Sequence, residues 1–390
     1  MAALVKERAR EDPAPELVAN PARERPLDPA GAPIDILVVG GGPAGLAVAI
    51  RAAARGFRTV LLERAAGVPD KACGEGLMPA GLRELQSLGA LALIDSRDRN
   101  PLRGIRYLQE DGSAVEGRFP GGEGMGIRRT ALCAALSCRA VAAGAELRRG
   151  SVRAARPCDG AIVADTDEGP LRARLLVAAD GLHSPLRRAA GLDAPETARA
   201  PRRFGLRRHF ALAPWSDLVE VHWAAGVEAY VTPVAADLVN VAFLWSGKGA
   251  TFEEHLRCFP ALEARLRGAR AASDARGAGP LGQRVRARGK DRLVLIGDAA
   301  GYVDAITGQG LSLAFAAATL LVAALPEDLS QDLAPALRRY DRSLRVRWLR
   351  YAVPARALLA LARHPALRRR ALRTASRFPA LFRTLLSAVG

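Results

Sequence analysis

The sequence predicts an α/β fold made of three separated α/β blocks, with an antiparallel sheet inserted between them and a basic helical extension at the end. Three observations predict it. A strand, a glycine-rich turn, a helix and a second strand follow one another from Asp35 to Glu63. Two more apolar segments, Leu176 to Ala179 and Leu293 to Ile296, each close on a paired Asp and Gly. Between them, Phe204 to Trp245 alternates apolar and polar residues in short runs broken by Pro214, Gly226 and Pro233.

The first unit carries the most specific signal. Ile36 to Val39 is an apolar strand, Pro43 to Arg55 an Ala-rich helix with Gly56 where its C-cap belongs, and Thr59 to Leu62 a second strand. Gly40-Gly41-Gly42-Pro43-Ala44-Gly45 joins strand to helix in the pattern G-x-G-x-x-G. Gly40 permits the tight turn, Gly42 lets backbone approach a pyrophosphate, and Gly45 allows close helix–strand packing. Pro43 and Ala44 open the helix, whose first N–H groups are free to meet phosphate. Glu63, with Arg64 beside it, ends the second strand, where a carboxylate can accept from ribose hydroxyls. A βαβ fingerprint alone does not separate one dinucleotide from another.

Two later segments narrow the choice. Asp180-Gly181 ends a buried strand and leads to Ser184 and Arg187. Gly297-Asp298-Ala299-Ala300-Gly301 ends another and runs through Thr307-Gly308-Gln309-Gly310 into the apolar run Leu311 to Leu325. A helix opening on glycines offers backbone N–H groups to a group that gains negative charge on reduction. That run is shorter than the ~20 residues a bilayer span requires, so it reads as a buried helix.

Composition bounds the rest. With 390 residues and 49% hydrophobic content, the chain supports one large core or two ordinary ones without a disulfide or metal staple. Its five cysteines are scattered, with no Cys-x-x-Cys pair, and His255 beside Cys258 lacks companions. No metal site and a cytoplasmic setting are therefore expected. The net charge of +17 is concentrated from Arg338 onward, where fourteen arginines face the single acid Asp341. Leu349, Val353, Leu358, Leu359, Leu361, Leu367, Leu372, Phe378, Leu381 and Leu385 recur among them at near-helical spacing. Such helices either cover the body with their apolar side or meet the inner face of a membrane through 338–390. Aromatic residues make up 5% of the chain and form no stacking array, so specific nucleic-acid binding is not expected.

These motifs resemble the FAD-dependent superfamily of p-hydroxybenzoate hydroxylase-like monooxygenases, geranylgeranyl reductases and flavin-dependent halogenases, with the geranylgeranyl-reductase-like members nearest. The resemblance spans roughly Ile34 to Leu325. It implies a Rossmann-like FAD-binding domain (p-hydroxybenzoate hydroxylase-like) over 34–98, 128–195 and 281–325. An inserted antiparallel-sheet substrate domain would take 99–127 and 196–280. A disordered tail (1–33) and a C-terminal helical extension (326–390) flank them. The resemblance also implies FAD as cofactor, with NAD(P)H as reductant. It places Asp298 on the ribityl chain, Asp180-Gly181 near the pyrophosphate, and Arg129, in the run Arg129-x-x-Leu132-x-x-x-Leu136, against the FAD. Gly308, Gln309 and Gly310 complete the cofactor set.

The chemistry is less defined. Lys71-Ala72-Cys73-Gly74-Glu75-Gly76-Leu77-Met78-Pro79 resembles the Cys-Gly-rich loop of the reductases, which passes the flavin. Cys73 and Gly74 then contact cofactor, Met78 the substrate cavity, and Cys73, Glu75 and Tyr230 are the catalytic candidates. The alternatives are packing for Cys73 and a bond from Glu75 to the loop backbone. Gly226 to Pro233 stands where the reductases carry Tyr-x-Trp-x-Phe-Pro, and only Pro233 matches. Glu228, Tyr230 and Thr232 share one strand face and are the expected cavity lining. Three functions stay open: double-bond reduction in a hydrophobic isoprenoid- or polyketide-like molecule, flavin-dependent hydroxylation or epoxidation, and a flavin-containing membrane-surface binding protein without turnover.

Overall fold

A computed structural model describes residues 34–195, 202–247 and 249–378; the tail expected over 1–33 and the end of the basic extension, 379–390, lie outside the described residues. The first sheet runs in the order Gly289–Lys290, Leu293–Leu295, Gly169–Ala178, Ile34–Val39, Thr59–Glu63, Glu146–Arg149. Four of the five pairings in this order are parallel, and Gly289–Lys290 joins antiparallel at one end. Parallel strands covered on both sides read as continuous apolar runs, and Leu37, Val38, Leu176 and Val177 are all fully buried. The helices Pro43–Ala54, Arg129–Ala142 and Gly310–Ala324 contribute to a common core with this sheet. The first helix ends one residue before Arg55, which caps it, and Gly56 follows at φ +84°.

The second sheet has the order Arg270–Ala271, Arg203–Ala211, Leu238–Ser246, Val227–Ala235, Leu218–Ala224, Gly104–Leu108, Ala114–Arg118. The expectation of an antiparallel sheet needs correcting at one seam, because Leu218–Ala224 pairs parallel with Gly104–Leu108. These strands lie far apart in sequence, so no hairpin turn imposes antiparallel pairing. The two faces differ in character. Phe204, Leu206, Phe210, Val227, Ala229, Val231, Val241 and Phe243 pack beneath the short helices Phe252–Leu256 and Pro260–Leu266. His255 belongs to that packing, with its ring 4.3 Å from Trp245, and Cys258 bonds to the carbonyl of Glu254. The other face carries Arg203, Arg207, His209, Glu228, Tyr230, Thr232 and Asn240 in cross-strand register and looks toward the first sheet.

A small sheet of Gly76–Leu77, Gly124–Ile127 and Arg99–Leu102 joins the halves. The helix Ala334–Arg363 then crosses both: Leu337, Tyr340 and Leu344 enter the first core, while Tyr351, Ala352 and Ala355 reach the cluster under the second sheet. Pro365–Arg377 returns over that sheet, where buried Arg368 stacks on Trp223 and donates to Gln109.

Candidate functional site

The glycine turn is shaped by contacts that a side chain would fill. Gly40 sits at φ +113°, and a Cβ there would lie 2.4 Å from the carbonyl oxygen of Ala179. A Cβ on Gly45 would lie 2.0 Å from the oxygen of Gly40, so strand and helix approach through that missing atom. Gly42 is different. Its backbone is extended (φ −77°, ψ 173°), no side chain caps the helix it precedes, and the only atom near its absent Cβ is Nη2 of Arg129, 3.8 Å away. The helix N-terminus therefore opens on a free space with a guanidinium across it, which suits a bound anion.

Glu63 is buried and already employed: its carboxylate accepts from Gly41 N (2.7 Å) and Ala65 N (2.9 Å). A carboxylate retains further lone pairs, so this role leaves room for a ribose hydroxyl. Arg64 is exposed beside it. Asp180 accepts from Leu186 N (3.2 Å) through Oδ2, while Oδ1 is buried without a partner, and Gly181 turns at φ +85°. Burial pushes the Asp180 carboxyl up, against the hydrogen bond from Ser184.

The second glycine loop abuts the first. Gly297 (φ +60°) would bring a Cβ within 2.8 Å of Ala44 Cβ, so the two loops touch there. Asp298 follows at the edge of a small cavity of about 20 Å³ lined also by Gly301, Tyr302, Gly310, Leu313, Trp348 and Tyr351. Asp298 is exposed at that edge, and the neighbouring protein nudges its carboxyl up, opposed by Arg129 and then Lys71. Thr307 Oγ1 is buried without a partner, Gly308 turns at φ +64°, Gln309 is the N-cap, and Gly310 begins the helix. Met78 Cε lies 3.6 Å from where a Gly308 side chain would start, so the Cys73–Met78 loop roofs this turn. Unpaired Arg129 Nε, Asp180 Oδ1 and Thr307 Oγ1, set around a glycine cradle, fit a dinucleotide with a flavin end.

Three polar anchors moor the Cys73 loop to the second sheet. Arg207 pairs with Asp70, Asn240 Nδ2 donates to the Cys73 carbonyl (2.9 Å), and His209 Nε2 lies 2.5 Å from Glu75 Oε2. Arg207 Nη1 and Ser273 Oγ lie 3.2 and 3.0 Å from His209 Nδ1, while Nε2 faces the Glu75 carboxylate, which accepts a ring N–H there. The other Glu75 oxygen accepts from Arg129 N (2.8 Å), capping the Arg129–Ala142 helix. Glu75 thus joins its loop to a helix and a sheet, at φ +59°, and faces protein on both oxygens. Glu75→Ala should cost about 1–3 kcal/mol in urea unfolding of the flavin-loaded protein, because it removes a helix cap and leaves a buried imidazole N–H unpaired. Cys73 is half-buried near Arg129 and Cys133; burial pushes its thiol up more than Arg129 pulls it down, which favours the neutral thiol.

Glu228, Tyr230 and Thr232 do share a face, and Glu228 is the centre of a buried cluster. Arg203 donates to both Glu228 oxygens (3.2 and 2.8 Å) and to Asp304 (2.9 Å), while Tyr230 Oη donates to Glu228 (3.3 Å). Burial pushes Glu228 and Asp304 up, with Arg203 the main opposing influence, and pushes the Tyr230 phenol up further. Tyr351 Oη donates to the Asp304 carbonyl (2.8 Å), so the C-terminal helix is tied to the same loop. Met78, Ile105, Tyr107, Val221, Trp223 and Ile306 form the apolar surroundings of Tyr230. Sequence reasoning missed Arg203, Arg207, His209, Asn240 and Asp304; the alternation of Arg203, Arg207 and His209 along one strand was the available signal.

A glycine-cradled helix N-terminus, a carboxylate at the next strand end and a second glycine loop against the first define a dinucleotide-binding flavoprotein. The chain belongs to the FAD binding domain family, whose model matches residues 33–237, and it is an FAD-dependent oxidoreductase. It is 27% identical to digeranylgeranylglycerophospholipid reductase 2 of Methanosphaera stadtmanae over 301 residues, 72% of this chain and 74% of the reductase. It is 30% identical to 2-heptyl-3-hydroxy-4(1H)-quinolone synthase of Mycobacteroides abscessus over 327 residues, 79% of this chain and 85% of the synthase. The flavin-dependent brominase Bmp2 shares the fold, with a TM-score of 0.78 at 17% identity over 92% of this chain and 93% of the brominase.

Proposed function

We propose that this chain saturates a carbon–carbon double bond in a hydrophobic, isoprenoid-like molecule, with electrons drawn from NAD(P)H. The observation that carries the reading is the apolar wall around Tyr230, which abuts the roofed Gly308 turn and is closed by the C-terminal helices. The similarity to a digeranylgeranylglycerophospholipid reductase supports it. FAD, when bound, supplies the two-electron chemistry. The chain's own groups do the rest. Arg129 and the N–H groups beyond Gly42 would neutralise the pyrophosphate, with Asp180-Gly181 alongside. Glu63 and Asp298 would accept from sugar and ribityl hydroxyls, and the Gly308-Gln309-Gly310 backbone would face the flavin's pyrimidine edge. The loop Cys73–Met78 would exclude water.

Saturating a double bond takes two electrons and two hydrogens, one arriving with the electron pair and the other as a proton. Tyr230, hydrogen-bonded to Glu228, and the neutral Cys73 thiol are the donors this reading assigns. Glu75 is left as a scaffold residue. The similarity to a quinolone synthase supports a second reading, oxygen insertion into an aromatic substrate. One experiment separates them. Photoreduced enzyme is mixed with a polyprenyl lipid panel, once anaerobically and once with oxygen admitted, and followed through the flavin absorbance. Reoxidation without oxygen, with a product heavier by two hydrogens, is expected. Reoxidation that requires oxygen and gives a product heavier by one oxygen would overturn it, and a flavin that no lipid reoxidises would leave the non-catalytic binding role standing.

A further inference from the structure

We propose that the outer face of the helix Ala334–Arg363 docks the protein on an anionic lipid membrane. Val346, Leu349 and Val353 are 54%, 51% and 60% exposed, and their spacing of three and four residues sets them in one stripe. Leu344, Tyr351, Ala352 and Ala355 occupy the opposite, buried side of the same helix. The helix therefore has two apolar faces, and among the described residues packing against the body accounts for only one of them. Among the described residues, every large exposed apolar side chain except Leu93 lies in this two-helix extension, with Leu367 and Phe378 on or next to the second helix.

Charge selects the partner. Exposed Arg342, Arg345, Arg350 and Arg356 flank the stripe, and the only acid between residues 334 and 378 is Asp341, which is paired with Arg288 at 2.9 Å. Long arginine side chains can rise to phosphates while the valines and leucine enter the acyl boundary. A second copy of the chain would set arginine against arginine across a twofold axis. Nucleic acid would match the charge, but it would leave an aliphatic stripe with nothing to stack on. Among the described residues no helix is long and apolar enough to cross a membrane, so the contact lies along the surface.

Geometry gives this surface a purpose. Leu344, Trp348 and Tyr351 of the same helix line the cavity beside Asp298, so membrane and flavin site would be separated by one helix diameter. Delivery of a lipid substrate along this route rests on the reductase reading; the docking itself does not.

The test is flotation of the flavin-loaded full chain with vesicles of phosphatidylcholine alone, or with about a quarter phosphatidylglycerol. Binding is expected only to the anionic vesicles, weakening as salt rises. The triple variant Val346→Ser, Leu349→Ser, Val353→Ser should bind them roughly tenfold or more weakly, with flavin content and thermal midpoint unchanged. The variant Arg345→Gln, Arg350→Gln, Arg356→Gln should lose the salt dependence. Wild-type protein that ignores anionic vesicles at low salt, or an apolar-stripe variant that binds as well as wild type, would overturn the proposal. So would a dimer that the serine variant dissolves.

Discussion

Arg203→Met should destabilise the protein by about 3–5 kcal/mol near neutral pH, and the loss should shrink as the solution is acidified. Arg203 is hydrogen-bonded to both Glu228 and Asp304, each of which is buried. Burial already holds both carboxyls above their ordinary range, and Arg203 is the largest influence pulling them down. Without it they rise further. An acid whose folded pKa exceeds its unfolded one stabilises the fold fully below the unfolded value, about 4, and loses that contribution as pH rises through the folded value. The gap between wild type and variant should therefore be small near pH ~4 and widen toward neutrality. Urea unfolding across that range measures it. A gap independent of pH would mean that the cost comes from lost packing around the guanidinium. Adding Glu228→Gln to the variant should recover part of the loss, since one buried charge is then gone.

The contrast between that cluster and the glycine turn shows what a sequence exposes. Gly40 and Gly45 were legible because each answers a local backbone demand, Gly42 because it leaves the space before the helix open, and the spacing to Glu63 is fixed by one helix and one strand. Gly308 was legible for the same reason as Gly40, lying where a helix starts, whereas Asp298 was placed by the resemblance to the superfamily. Arg203, Asp304, His209 and Asn240 meet only through cross-strand register and the docking of two sheets, and neither is written in a single segment. Glu75 was read as a choice between catalysis and a backbone bond; capping the helix at Arg129 is a contact between residues far apart in sequence. The parallel seam at Gly104–Leu108 was hidden because alternation specifies a strand's faces but not its direction. In the C-terminal helix, Val346 and Leu344 have similar hydropathy, yet one is exposed and the other buried. Only the packing of the body distinguishes them.

Gly42 and Gly45 stand three residues apart in one motif, yet their alanine variants should fail in different ways. Gly45→Ala forces a methyl to within 2.0 Å of the Gly40 carbonyl oxygen, with Ala179 and Val38 side chains just over 3 Å away. Helix and strand must separate, at a cost of about 3 kcal/mol or more, and flavin should be lost together with stability. Gly42→Ala meets no such obstacle. Its φ of −77° suits any residue, and the nearest atom to the new methyl is the far end of Arg129 at 3.8 Å. Apoprotein stability should stay within about 1 kcal/mol of wild type, or rise slightly as the unfolded chain loses freedom. Yet the methyl occupies the space through which backbone would approach a pyrophosphate, so FAD affinity should fall about tenfold to a hundredfold. Fluorescence titration of apoprotein with FAD, alongside urea unfolding, reads both quantities. A Gly42→Ala protein that folds normally and binds FAD as tightly as wild type would show that the dinucleotide does not lie across this turn, and the assignments of Arg129 and Asp180 would fall with it.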